Sequence, residues 1–268
     1  MSTPEPTGVV VGSWRAAWLR VEGHWTWYRR YWASTLYSTG LQPVLFLAAM
    51  GLGFGSQVQA GPATGGLSYL HYVAPALLVA AAAQNAVGES SYPVLSGFKW
   101  QKDFIAVTAT PMTPGQLLGG QVLWLTLRLA LSGVVYAVIA LFFGAWLNFG
   151  VLAVVLVGVL TGLSCGTPTM VLAATTFDEG ERFASVFRFV VMPMTLFAGT
   201  FFPITQIPVA LRWLAWISPL WHGNELARGV TIGGLAFWPA VGHVLYLAAV
   251  AGVGAAFART FFRRRLVV

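Results

Sequence analysis

Charge is scarce in this chain. Only 9% of its 268 residues are Asp, Glu, Lys or Arg, where a soluble domain carries about 25%, so an ordinary water-facing surface is excluded. There is a single cysteine, Cys165; it cannot form an intrachain disulfide, and inside an apolar run it reads as a small packing residue. Lysine is almost absent, and neither Lys99 nor Lys102 follows a glycine. A G-x-x-x-x-G-K-[ST] loop, whose amides cradle phosphates while its lysine reaches the terminal ones, is therefore missing. Any ATP-driven role requires a separate nucleotide-binding subunit. His24, His71, His222 and His243 are scattered along the chain with no cysteine or carboxylate at ligand spacing, so no metal site is expected. No carboxylate pair lies within the apolar runs, which argues against an enzyme acting alone. The first 30 residues lack the apolar core of a cleavable signal peptide.

What the chain has is apolar length. Hydrophobic residues make up 57% and mean hydropathy is +0.72. Six apolar stretches with at most one charged residue each approach the roughly 20 residues that cross a hydrocarbon core about 30 Å thick. They show no two-residue alternation, so helices rather than barrel strands are predicted. The spans fall at about 35–55, 69–90, 117–143, 149–175, 184–202 and 237–258. The net charge of +7 is carried at the ends of these runs, where topology signals belong, and not in a nucleic-acid-binding patch.

Before the first span, after a leader rich in Pro, Thr and Gly, Trp14, Trp18, Val21, Trp25, Tyr28 and Trp32 recur at helical steps along one face. With Arg15, Arg29 and Arg30 largely elsewhere, this predicts a helix lying in the membrane interface, within a region 1–34 distinct from a six-helix domain 35–268. The polar stretch Ser91–Gln116 forms one sizeable loop. Between the fifth and sixth spans, Pro203, Pro208 and Pro219 cut the chain into pieces too short to cross, predicting short helices that dip into the outer leaflet. Arg259, Arg263, Arg264 and Arg265 then form a basic tail after the sixth span.

Six spans sort the basic residues onto two sides: Arg15, Arg20, Arg29, Arg30, Lys99, Lys102, Arg182, Arg188 and the tail on one, only Arg212 and Arg228 on the other. The positive side is cytoplasmic, so both termini are expected there. Glu89 and Arg128 are the ionisable residues within or near spans; such groups are functional suspects, though Glu89 could face solvent and Arg128 could snorkel. Gly158, Gly162 and Gly166 line one face of the fourth span for close helix packing, within the chain or at a dimer seam.

Two stretches carry a resemblance. Glu89-Ser90-Ser91, Phe98-Lys99-Trp100-Gln101-Lys102 and Ala109-Thr110-Pro111 form the first, and FFPITQIPVALRWLAWISPLWHGNELARG, from Phe201 to Gly229, the second. They resemble the ABC-2 exporter permeases, nearest to the branch of lipo-chitooligosaccharide (nodulation-factor) export permeases, with daunorubicin-type drug-export permeases as cousins. The resemblance covers nearly the whole chain, and is specific for family and poorly specific for cargo. It implies an all-α integral membrane subunit of the bacterial plasma membrane: six transmembrane helices, an amphipathic N-terminal helix, and outer-leaflet re-entrant helices between spans five and six. It also implies a permease dimer with two copies of a cytoplasmic ATPase that binds ATP and magnesium. By the same resemblance Glu89, Phe98, Lys99, Trp100, Gln101, Lys102 and Asp103 would lie at the ATPase-coupling interface, in a loop less acidic than in many relatives. Pro203, Trp213, Trp216, Trp221 and Glu225 would lie along the exit of an amphipathic cargo such as a lipid, glycolipid or hydrophobic drug; the tryptophans also suit a plain interfacial belt. A secondary transporter, or a scaffold with no transport of its own, is the competing class. The first would show broken midplane spans or charged pore rings, which are not apparent.

Overall fold

The computed structural model describes residues 11–31, 41, 43–53, 55, 57, 58, 61, 64 and 66–267, and among these every regular element is a helix. Helix α1 (Ser13–Arg30) precedes a helical segment α2 (43–53) whose end, Ala48–Gly53, widens into π-helical turns. The leader up to residue 10, Trp32, Pro62 and residues 35–40, 42 and 54 of the expected first span 35–55 lie outside the described residues.

Helix α3 (Tyr69–Ser90) runs through a bend at Ser91 into α4 (Tyr92–Phe98), and α5 (Asp103–Thr108) follows. The expected loop Ser91–Gln116 is thus largely helical. Its end is set by local chemistry: Thr113 and Gln116 cap each other's backbone amides, and Pro114 sits where a helix can spare an N–H, so α6 (Pro114–Phe142) starts there. Helix α7 (Val151–Thr175) follows a turn in which Asn148 bonds both the Gly150 amide and the Thr231 carbonyl.

The expected fifth span 184–202 falls on an unbroken helical run over 181–197, made of α8 (Glu181–Val186), a π-helical stretch Phe187–Val191 and α9 (Met192–Phe197), with right-handed helical backbone at each junction. The Pro-punctuated stretch becomes two single 3₁₀ turns, α10 (Arg212–Ile217) and α11 (Pro219–Thr231). Finally α12 (Phe237–Leu266) extends beyond the expected end at 258: the basic residues from Arg259 to Arg265 are its last turns and not a tail beyond it.

Four helices are long and apolar enough to cross a membrane: Tyr69–Phe98, Pro114–Phe142, Val151–Thr175 and Phe237–Leu266. The fold is all-α with four candidate spans among the described residues, where six were expected. Helix α7 lies at the centre, touching α3, α6, α11 and α12. The glycine face explains this. A β-carbon on Gly158 would meet Leu78, on Gly162 the Ala82 carbonyl and Leu129, on Gly166 Leu125 and Ser90, so the three glycines admit α3 and α6 of the same chain. On the other side Gly254 lets α12 approach Pro168, and Thr167 donates to the Ala251 carbonyl at 3.0 Å.

Candidate functional site

The basic end of the bundle holds the predicted coupling residues, and the structure divides them. Phe98 turns inward, 5% exposed, its ring 4.9 Å from Phe104 and 4.8 Å from Phe262. Gly97 is required here, because a β-carbon would sit 2.6 Å from the Phe104 ring. With Phe98 wedged, the chain reverses over Lys99–Lys102: the Ser96 carbonyl accepts from the amides of Trp100 and Gln101, and Lys102 adopts a left-handed conformation (φ 56°). That turn lifts Trp100, Gln101 and Lys102 outward and leaves them exposed. Lys99 Nζ lies 2.5 Å from Glu179 Oε1, and Trp100 Nε1 donates to Glu179 Oε2 at 3.2 Å, so the knuckle is held from the α7–α8 connection. The hydrogen bond from Lys99 holds the Glu179 carboxyl below its ordinary range. Asp103, the last of the set, faces α1, where Arg20 Nη2 reaches its Oδ2 at 2.7 Å.

Helix α1 docks on α6 through Ala16, Ala17 and Val21, all buried, and Gly120 receives Arg20 and the Ala17 carbonyl where a side chain would clash. Of the stripe that the sequence singles out, Val21 joins this docking face, while Trp14, Trp18 and Trp25 stay exposed. Beneath α1 lies a polar cavity of about 600 Å³, reached by Arg20, His24, Glu89, Asp103, Gln121 and Arg128. His24 bonds Gln121 at 2.8 Å and stacks on Trp124. Its burial, reinforced by the Arg20 charge, lowers its pKa from 6.5 to about 4. Glu89 and Arg128 meet at 3.0 Å, each the other's counterion. The sequence flags both as suspects but contains no signal that they pair.

A second cavity, of about 320 Å³ and largely apolar, lies at mid-height between α2, α3 and α9, with Gln84 donating to Thr195 at 3.1 Å as its polar contact.

At the opposite end, Pro203 opens the 3₁₀ turns, Trp213 and Trp216 are exposed, and Trp221 and Glu225 are half-buried. The organising residue here is Arg228, which sequence reasoning uses only as a topology charge. Its guanidinium stacks over Tyr72 at 4.0 Å and donates to the carbonyls of Gly199 and Thr200, while Asn224 donates to Ala198 and Thr200. Four carbonyl and hydroxyl acceptors of the turn after α9 are satisfied in this way. His222 and His243, expected to be scattered, instead lie together, Nδ1 to Nδ1 at 2.7 Å. Arg265, expected in the basic tail after the sixth span, donates to the carbonyls of Ala173, Ala174 and Thr176 and so closes the end of α7.

A sequence profile of the ABC-2 type transporter family matches residues 17–232. The chain is 27% identical over 221 residues to nodulation protein J of Rhizobium leguminosarum bv. viciae, covering 82% of this chain and 83% of that protein. It is 26% identical over 221 residues to nodulation protein J of Rhizobium meliloti strain 1021, covering 82% of each. The inner membrane transport permease YadH of Escherichia coli K12 is 26% identical over 198 residues, 72% of this chain and 73% of that permease.

Proposed function

This chain belongs to the ABC-2 type transporter family and is a membrane-spanning permease subunit of an ABC exporter; from that premise we propose that it couples to a cytoplasmic ATPase through the knuckle Lys99–Lys102. Two copies of the chain and two of the ATPase form the working unit in a bacterial plasma membrane. The ATPase holds ATP and magnesium, and six spans place both termini in the cytoplasm. Helices 10 and 11 re-enter the outer leaflet, and an amphipathic lipid, glycolipid or hydrophobic drug leaves past Pro203, Trp213, Trp216, Trp221 and Glu225.

The observation that carries the coupling reading is the contrast within one short turn. Trp100, Gln101 and Lys102 are exposed in the turn after α4. Helix α3 has 22 residues, about 33 Å at 1.5 Å per residue, enough to cross a hydrocarbon core about 30 Å thick, so α4 and the turn beyond the bend at Ser91 lie where a soluble partner can push. Phe98 and Phe104, packed on Phe262 of α12, would pass that push to a second span. Asp103 would pass it to α1 through Arg20. In this reading Phe98 and Asp103 transmit force and the exposed residues make the contact.

The test is co-purification of the tagged chain with the products of its neighbouring genes, and ATPase activity of the product in lipid. Lys102→Glu with Gln101→Glu alters only exposed side chains. Loss of the ATPase from the purified complex while the permease remains folded is the expected result. Retention of a fully active ATPase by this variant would move the docking site elsewhere, and a chain that never recruits an ATPase would favour a scaffold or a secondary transporter.

A further inference from the structure

Between α1 and α6 lies an apolar slot of about 310 Å³, walled by Trp18, Val21, Trp25 and Tyr28 on one side and by Leu127 and Leu131 on the other. It is not isolated. Trp124 and Arg128 line both this slot and the polar cavity of about 600 Å³ beneath α1. Apolar and charged walls therefore meet at one guanidinium. That is the outline of an amphipathic molecule, a chain on one side of Arg128 and a polar head on the other.

The charges around the junction decide the kind of head. Each nearby carboxylate already has a cation: Glu89 has Arg128, Asp103 has Arg20 and Glu22 has Arg15. Arg29 and Arg30 of α1 are exposed and add positive charge at its end. A guanidinium presents five N–H donors, and the ion pair with Glu89 uses one nitrogen of Arg128, Nη2 at 3.0 Å. The Arg128 guanidinium carbon also lies 5.3 Å from the centre of the Tyr28 ring. A guanidinium with donors to spare suits a phosphate oxygen pair, and the arginine excess on α1 favours a head with net negative charge.

We propose that an anionic glycerophospholipid occupies this site, with one acyl chain in the aromatic slot and its phosphate on Arg128 at the mouth of the polar cavity. The lipid acts as a wedge. It fills the gap that the aromatic face of α1 leaves against α6, and so holds α1 at its docking angle. This proposal does not depend on the identity of the cargo or on the ATPase.

Native mass spectrometry of the full chain, purified in mild detergent and offered phosphatidylglycerol, phosphatidylethanolamine of the same acyl chains, or inorganic phosphate, tests it. Phosphatidylglycerol should be retained at least tenfold better than phosphatidylethanolamine. The double variant Glu89→Gln/Arg128→Gln, which removes the pair without leaving a lone buried charge, should abolish that preference. Leu127→Trp, which fills the slot and leaves the ion pair intact, should lower retention of both lipids; should the double variant fail to fold, this variant alone still decides. Equal retention of the two lipids, or retention unchanged in Leu127→Trp, overturns the proposal. Displacement of bound lipid by inorganic phosphate alone would assign the site to a soluble anion and overturn it as well.

Discussion

Arg20 and Asp103, 83 residues apart in sequence, meet at 2.7 Å and so join the interfacial helix α1 to the first residue of α5. Arg20 comes from the face of α1 turned toward α6, and Asp103 opens the helix that follows the exposed knuckle. The pair makes the knuckle and α1 one mechanical unit. Arg20→Ala should cost about 1–3 kcal/mol, the range for a hydrogen bond to a charged group whose partner is left behind. Asp103→Ala in the same background should cost little more, and a double-mutant cycle on thermal unfolding in detergent measures the coupling. Independent, additive losses would show that the two elements are not linked through this pair.

The clasp of Glu179 on Lys99 and Trp100 gives a pH-dependent signal. The folded pKa of Glu179 is lowered by Lys99, so the contact is fully present above the ordinary carboxylate value of 4.5 and is lost as pH falls through the depressed one. The indole N–H resonance of Trp100, assigned by Trp100→Phe, should therefore stay constant from neutral pH down to 4.5 and move below it. Glu179→Gln should remove that movement. A resonance that shifts near neutrality would contradict the clasp.

His24 predicts a different window. Its pKa falls from 6.5 to about 4 because it is buried neutral, so the undocked helix binds a proton that the docked one does not. Docking of α1 therefore weakens as pH falls from about 6.5 to about 4. Limited proteolysis near the end of α1 should accelerate over this interval, and His24→Gln, which cannot titrate, should flatten the profile. Equal acceleration in the variant would locate the titration elsewhere.

The glycines of α7 should not be equivalent. A β-carbon at Gly162 meets the Ala82 carbonyl oxygen at 3.1 Å and Leu129 at 2.6 Å, whereas at Gly158 its closest neighbour is the flexible end of Leu78 at 2.8 Å. Alanine in a helix gains up to about 1 kcal/mol over glycine, and overpacking costs about 1–3 kcal/mol. Gly162→Ala should lower the thermal midpoint of the detergent-solubilised protein clearly, and Gly158→Ala should leave it nearly unchanged. The reverse order would mean that α3 lies farther from Gly162 than the packing described here.

Long apolar runs are readable from sequence because spanning a membrane is a local requirement on composition: α3, α6, α7 and α12 sit where hydropathy predicts them. The stretch 184–202 is apolar enough to be read as a span, and the helix over 181–197 that covers most of it widens into π-helical turns at Phe187–Val191 and ends short of 202, neither of which hydropathy registers. The site residues divide in the same manner. Lys99, Trp100, Gln101 and Lys102 are legible as polar residues between spans, and they form the exposed turn. Phe98 carries the same motif signal and points inward, because the ring of Phe104 and the helix carrying Phe262 close over it.

By itself, the sequence determined the solvent this protein lives in, the helical state of its spans and the absence of a nucleotide-binding loop. Each follows from composition or from a contiguous motif, properties that need no knowledge of what lies across the bundle. Only the tertiary structure decided which charges neutralise one another, Glu89 with Arg128 and Arg20 with Asp103, and which lone residues become organisers, as Arg228 and Arg265 do. The physical reason is that a pairing depends on the rotation and register of two helices. Those are set by where backbones can approach, at Gly120, Gly162 and Gly254, and not by the residues that end up paired.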